Sequence, residues 1–182
     1  MDNVTRCISV LALGMCGSVG HAQEVIDVSG MQSWGLDGDV LNELGVFATT
    51  KSGDPEIGGI VLGITYDLTI ETFGSSWLSD VNIRFGNSDG TFHGTWPDTF
   101  IPGLGVDQGG VQRFTGSFVT DFHLNEDKEF HMTLFESFDD NPGFADAVFR
   151  EGSTITLEYF IPAPTTSAML GMGLLCATRR RR

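Results

Sequence analysis

The stretch "IVLGITYDLTIE" sets Ile60, Leu62, Ile64, Tyr66, Leu68 and Ile70 in alternation with Val61, Gly63, Thr65, Asp67, Thr69 and Glu71. Such a period of two predicts a long β-strand with one wet face, or two strands joined at Gly63 by a bulge. The alternation returns more briefly at Val81, Ile83 and Phe85, at Phe130, Met132 and Leu134, and at Ile155, Leu157 and Tyr159. Between these runs stand "SGDP", "NSDG", "PGLG", "DQGG", "NEDK" and "DDNPG", all rich in turn-forming residues. No stretch of the middle carries a sustained helical period with caps. The pattern predicts an all-β domain, an antiparallel β-sandwich or jelly roll.

Both ends break this pattern. "MDNVTRCISVLALGMCGSVGHAQEV" places Arg6 before an apolar run from Cys7 to Val19, followed by Gly20, His21 and Ala22. This is the form of a secretory signal peptide, with the cut expected after Ala22. The run is too short for a bilayer that needs about 20 apolar residues. Processing as a lipoprotein at Cys16 is disfavoured, because the bulky Met15 precedes it where a small side chain is needed.

The other end reads "IPAPTTSAMLGMGLLCATRRRR". Residues 165–178, taken as a helix, would reach about 21 Å, short of the roughly 30 Å hydrocarbon core. Arg179, Arg180, Arg181 and Arg182 can anchor such a short apolar helix from the cytoplasmic headgroup region. Pro162 and Pro164 stop the helix from starting earlier and keep the segment before it extended. In these features the tail resembles that of the PEP-CTERM proteins, whose sorting signal is a proline-containing motif, an apolar helix and a terminal arginine cluster. Ile161, Pro162 and Pro164 match the motif, Met169 to Leu175 the helix and Arg179 to Arg182 the cluster, while Ala163 stands where the family has an acid. The resemblance implies export, transient retention in the inner membrane, removal of the tail by an exosortase-like enzyme, and delivery to the cell surface or extracellular polymer. It implies nothing about the domain being delivered. The expected organisation is a signal peptide over 1–22, with signal peptidase as its processing partner, a β-sandwich passenger over 23–160 and a sorting tail over 161–182.

Charge narrows the passenger's role. The chain holds 24 Asp and Glu against 10 Lys and Arg, with four of the basic residues at the extreme C-terminus. Residues 23–164 keep five basic residues against 23 acids, a net of −18. Phosphate binding needs clustered cations, so nucleic acid is excluded as a partner. Cys7, Cys16 and Cys176 all lie in the two end segments, leaving the passenger without a thiol nucleophile, a disulfide framework or a cysteine zinc site.

Acid-rich turns are the remaining candidates for chemistry. "LDGDVLNE" carries Asp37, Asp39, Asn42 and Glu43, and "ESFDDNPG" carries Glu136, Asp139, Asp140 and Asn141. Oxygen donors on loops suit Ca²⁺, and the second set is the candidate site, though neither has the offsets of an EF-hand. Solvated turn acids are the plainer explanation, and no cofactor is required. His93, His123 and His131 lack the spacing of a metalloprotease pair, and no Gly-x-Ser-x-Gly is present. No residue is assigned a catalytic role. Trp34, Trp77 and Trp96, with Phe92 and Phe100, could serve as core or as a platform for sugar faces. Phe92 and Trp96 in "TFHGTWPDTF" lie between turn signals and are the candidate ligand contacts. The expectation is a non-enzymatic surface or matrix protein, structural or binding extracellular glycan or Ca²⁺; the alternative is a secreted hydrolase acting on polysaccharide with two carboxylates.

Overall fold

A computed structural model describes residues 20–49, 59–88 and 98–161. These residues form β-strands and no helix: β1 (Gly20–Asp27), β2 (Gln32–Ser33), β3 (Leu44–Ala48), β4 (Gly59–Thr72), β5 (Val81–Gly86), β6 (Thr99–Phe100), β7 (Val111–Leu124), β8 (Glu129–Glu136), β9 (Ala147–Phe149) and β10 (Thr154–Ile161). The expected all-β, antiparallel character is therefore present. Phe92 and Trp96, and the tail from Pro162 onward with Ala163, Pro164 and Arg179 to Arg182, lie outside the described residues.

The strands form two sheets. In the first, β1 pairs β10, β10 and β9 lie along one edge of β4, β2 pairs β9, and β7 follows the opposite edge of β4. The order of the second is β3-β8-β5-β6. Across both sheets the pairing is nested: β1 with β10, β3 with β8, β4 with β7 and β5 with β6. The gap between β1 and β2 faces the gap between β9 and β10, and backbone bonds continue across it. Val28 N donates to Ser153 O at 3.0 Å and Gly30 N to Phe149 O at 2.7 Å.

One hydrophobic cluster draws on both sheets. Ile64, Leu68, Phe122, Leu157 and Tyr159 come from the first, and Ile83, Phe85, Phe130, Met132 and Leu134 from the second. Aromatic rings run through it in contact. Tyr66 meets Phe100 at 5.1 Å between centroids, Phe100 meets Phe118 at 5.0 Å, Phe118 meets Phe85 at 5.8 Å and Phe85 meets Phe122 at 5.4 Å. Phe100 is thus spent on packing rather than on an exposed platform.

The alternation in β5, β8 and β10 points inward as the sequence predicts, with Val81, Ile83, Phe85, Phe130, Met132, Leu134, Ile155, Leu157 and Tyr159 all buried. In β4 the pattern holds from Ile64 to Ile70 and then reverses toward the start of the strand. Val61 is fully buried, whereas Leu62 is only half-buried. The cause is a bulge. The ladder to β7 jumps from Val61↔Phe122 to Gly63↔Val119, and the ladder to β10 jumps from Gly63↔Glu158 to Val61↔Tyr159. A bulge shifts the inward phase by one residue, so a single strand carries both parities. Glycine suits the place, since a Cβ on Gly63 would stand 3.1 Å from Glu158 Oε2.

The register fixes two opposite ends of the sheets. Thr72, Val81, Val111, Glu136 and Ala147 end or begin their strands at one end, where the loops 73–80, 101–110 and 137–146 gather with 34–43. Gly59, Leu124, Gly86 and Glu129 lie at the other. The two limits of the domain belong to that second end, because Gly20 pairs Ile161 and Tyr159 pairs Val61. Strand β1 begins at Gly20, so the expected cut after Ala22 falls within it. A chain starting at Gln23 keeps the pairs from Gln23↔Glu158 to Asp27↔Thr154.

Candidate functional site: an aromatic and acidic cleft

At the loop end lies a cleft of about 450 Å³ lined by Ser75, Trp77, Asp80, Phe138 and Asp140. Its volume falls in the range of small-ligand sites, about 300–1,000 Å³. Trp77 and Phe138 are 48% and 64% exposed, unusual for rings of this size.

The loop itself explains Trp77. Its neighbours Ser76 and Leu78 are buried, at 0% and 1% exposure. Ser76 Oγ donates to Asp146 Oδ1 at 3.0 Å, and Leu78 N donates to Gln108 O at 3.0 Å. With both flanking residues fixed inward, the residue between them is turned out. Loop 101–110 reaches this close only because residue 103 is glycine; a Cβ there would collide with the Leu78 backbone.

The second wall is tied to the first. Ser137 N donates to Asp80 O at 2.8 Å, and Asn82 Nδ2 donates to both Asp80 O and Ser137 Oγ, at 2.6 and 2.7 Å. Phe138 follows directly, so the two aromatic rings rise from loops joined at Asp80.

Two buried carboxyl groups lie close behind the cleft. Glu136 is 1% exposed; Ser33 Oγ donates to its Oε1, and its Oε2 has no partner. Asp146 is fully buried, with Ser76 on Oδ1 and no partner on Oδ2. Burial pushes Glu136 up to about 8, the Ser33 hydroxyl opposes this, and the charges of Asp146, Asp80 and Asp140 add to it. Burial likewise raises Asp146, against the Ser76 bond and with help from Asp139, Asp140 and Asp80. Asp80 is raised by burial too, a backbone bond from Trp77 opposing, and Asp140 and Asp107 add to the effect. These carboxyls therefore disfavour one another's ionisation, and Glu136 holds its proton near neutrality.

The two acid-rich stretches singled out in the sequence meet here in part. Asp39 Oδ2 and Asp139 Oδ2 stand 3.2 and 3.6 Å from where a Cβ on Gly35 would be. Most of the first stretch is committed to its own loop. Asn42 Oδ1 accepts from Trp34 N and Gly35 N at 2.9 and 3.2 Å, its Nδ2 donates to Leu36 O at 2.8 Å, and Glu43 accepts from Gln32 N at 3.0 Å. Asp37 forms a two-pronged pair with Arg84 at 2.7 and 2.6 Å. In the second stretch, Asp139 Oδ1 accepts from Asn141 N at 3.2 Å, Glu136 turns into the core and Asp140 lines the cleft. Among the described residues no three His, Cys, Asp or Glu side chains converge as a metal-binding group.

The sequence named Trp77 only as one of several aromatics and did not single out Phe138, Asp80 or Asp146. The available signal was local: in "SSWLSD" a tryptophan sits between a small polar residue and a leucine that can anchor the loop on either side.

No family model and no curated protein matches this chain. Among solved structures, dimeric latent PorU from Porphyromonas gingivalis aligns with a TM-score of 0.37 and 11% identity, over 79% of this chain and 13% of that one. A likeness of that degree carries no argument about fold or function, and the chain spans only a small part of that protein.

Proposed function

We propose that this is an exported protein of the cell surface or extracellular polymer whose domain is a jelly-roll β-sandwich that binds glycan at the Trp77–Phe138 cleft. Support for the fold comes from the nested pairing of β1 with β10, β3 with β8, β4 with β7 and β5 with β6, and from a core shared by both sheets. Support for export comes from the leader ending at Ala22 and the tail from Ile161 to Arg182, processed by a signal peptidase and an exosortase-like enzyme after transient retention in the inner membrane.

The observation that carries the binding role is the pair of exposed rings beside Asp80 and Asp140. A sugar offers an apolar C–H face to an aromatic ring and hydroxyl donors to a carboxylate, and this cleft presents both kinds of partner. The cleft lies at the Thr72 end of β4 and the domain limits at its Gly59 end, about 43 Å apart at the strand rise.

Trp77→Ala tested on a glycan array checks the binding role. The expected outcome is lost binding with an unchanged melting temperature; full retention of binding would overturn it. Mass spectrometry of the mature protein checks the export role, with Gln23 expected at the N-terminus and Arg179 to Arg182 absent. An intact Arg182 on surface protein defeats it.

The raised Glu136 favours the hydrolase reading to one extent: a carboxyl still protonated near neutrality is what a general acid needs. Its burial weighs against that use, since an acid must reach the leaving oxygen. A reducing-end assay across polysaccharides, run beside Glu136→Gln, decides between the two; sugar release abolished by that variant would establish the hydrolase.

A further inference from the structure

We infer that the cleft selects sugars bearing free amino groups, and discriminates against uronic-acid and sulfated polymers. This rests on the glycan-binding role proposed above and narrows it to a ligand class.

The argument is one of charge against ring. Asp80 and Asp140 line the cleft, and Asp139 is the neighbour of Asp140 in the chain. Cations near at hand would offset them, yet each described arginine is engaged elsewhere. Arg84 is held by Asp37 at 2.6 Å, Arg113 by Asp67 at 2.5 Å and Arg150 by Glu71 at 2.6 Å. Lys128 sits between β7 and β8 at the opposite end of the sheets. Among the described residues, the walls of the cleft thus present carboxylates and aromatic faces and no basic side chain. An anionic glycan brought there meets like charge in a partly desolvated site, which is costly. A neutral sugar gains the ring contact and hydroxyl hydrogen bonds to the carboxylates. An amino sugar gains that contact, an ammonium–carboxylate pair, and the attraction of a cation for the Trp77 ring.

The test compares oligomers that differ in charge but share a backbone: a glucosamine oligomer, its fully N-acetylated counterpart, and a uronic-acid oligomer, each titrated calorimetrically into the full chain at one pH and low salt. The expected result is at least tenfold tighter binding of the glucosamine oligomer than of the acetylated one, a preference that shrinks as salt rises, and no binding of the uronic acid. Trp77→Ala weakens both glucosamine forms. Asp140→Asn and Asp80→Asn, with melting temperature followed as a check on folding, erase the preference for the glucosamine oligomer over the acetylated one. Equal binding of charged and acetylated oligomers, or uptake of the uronic acid, overturns the selectivity and leaves the glycan-binding role standing. Absence of all sugar binding, in both the parent and Trp77→Ala, overturns that role itself. A lysine oligomer that binds as tightly as the glucosamine oligomer also overturns the inference, because charge without a sugar ring would then suffice.

Discussion

Glu136 continues the inward phase that Phe130, Met132 and Leu134 set along β8, so the alternation itself puts a carboxyl on the core face. Leu134, Phe135 and Glu136 are buried in succession, since the strand ends there beneath the loops that form the cleft. A buried carboxyl raised from 4.5 to about 8 binds its proton more tightly in the folded state than in the unfolded one. Its contribution to stability is therefore complete below pH 4.5 and is lost as pH rises through about 8. Glu136→Gln keeps the shape and the acceptor for Ser33 while removing the titration. The melting temperature of the variant should exceed that of the parent at pH 9 and converge with it near pH 4. The difference at high pH should be of order 5 kcal/mol, from a rise of about 3.5 pH units at about 1.4 kcal/mol per unit. Parallel thermal melts from pH 4 to 9 measure it; two curves with constant separation would show that Glu136 does not titrate in this range. The surface pairs behave in the opposite sense, since the Arg84 and Arg113 bonds lower Asp37 and Asp67, and they cancel in this comparison.

At the scale of elements, β4 decides the arrangement of the first sheet because it touches β7, β9 and β10. Its bulge yields a discriminating test. The sequence pattern alone puts Leu62 inside and Val61 outside; the fold reverses them. Val61→Ala should cost about 2 kcal/mol by removing buried methyl groups, while Leu62→Ala should cost less than ~1 kcal/mol. Urea denaturation of both variants checks this, and equal losses would place the phase shift elsewhere. The loop 34–43 depends on a single side chain. Asn42 satisfies backbone groups of Trp34, Gly35 and Leu36, so Asn42→Ala should cost about 1–3 kcal/mol, readable in the same denaturation series. Loss of the Arg84–Asp37 pair should matter less, within ~1 kcal/mol, because both side chains remain substantially exposed.

At the scale of the whole domain, its two limits are neighbours. Gly20 opposite Ile161 makes the first and last described strands partners, so a cut near either limit would act on the same ladder. Removal of residues 1–22 takes the pairs of Gly20, His21 and Ala22 from β10 and leaves the rest of β1 in place. A protein starting at Gln23 should therefore stay folded, with a modest fall in melting temperature against one starting at Gly20. Unfolding of the shorter form would count against a cut after Ala22. Hydrogen exchange would also register the change, as faster exchange at the end of β10 with the remaining ladder protected.

Alternation of residue types was enough to read the class of fold, the course of β5, β8 and β10 and most of β4, because a two-residue period has one physical meaning on a half-buried sheet. The acid-rich turns were legible as well, since Asp, Asn and Gly in a cluster mark a reversal wherever they occur. What those turns hold was not. Whether Asp37 pairs Arg84 and whether Trp77 stands beside Phe138 depend on which loops share an end of the sheets. That follows from nested pairing between residues far apart in the chain. The bulge at Gly63 was legible only as one of two alternatives, and the ladders decide it, because an inserted residue changes the phase without changing the composition. Local preference is written in neighbouring residues; a cleft is made by distant ones, and only the closing of the sheets brings them together.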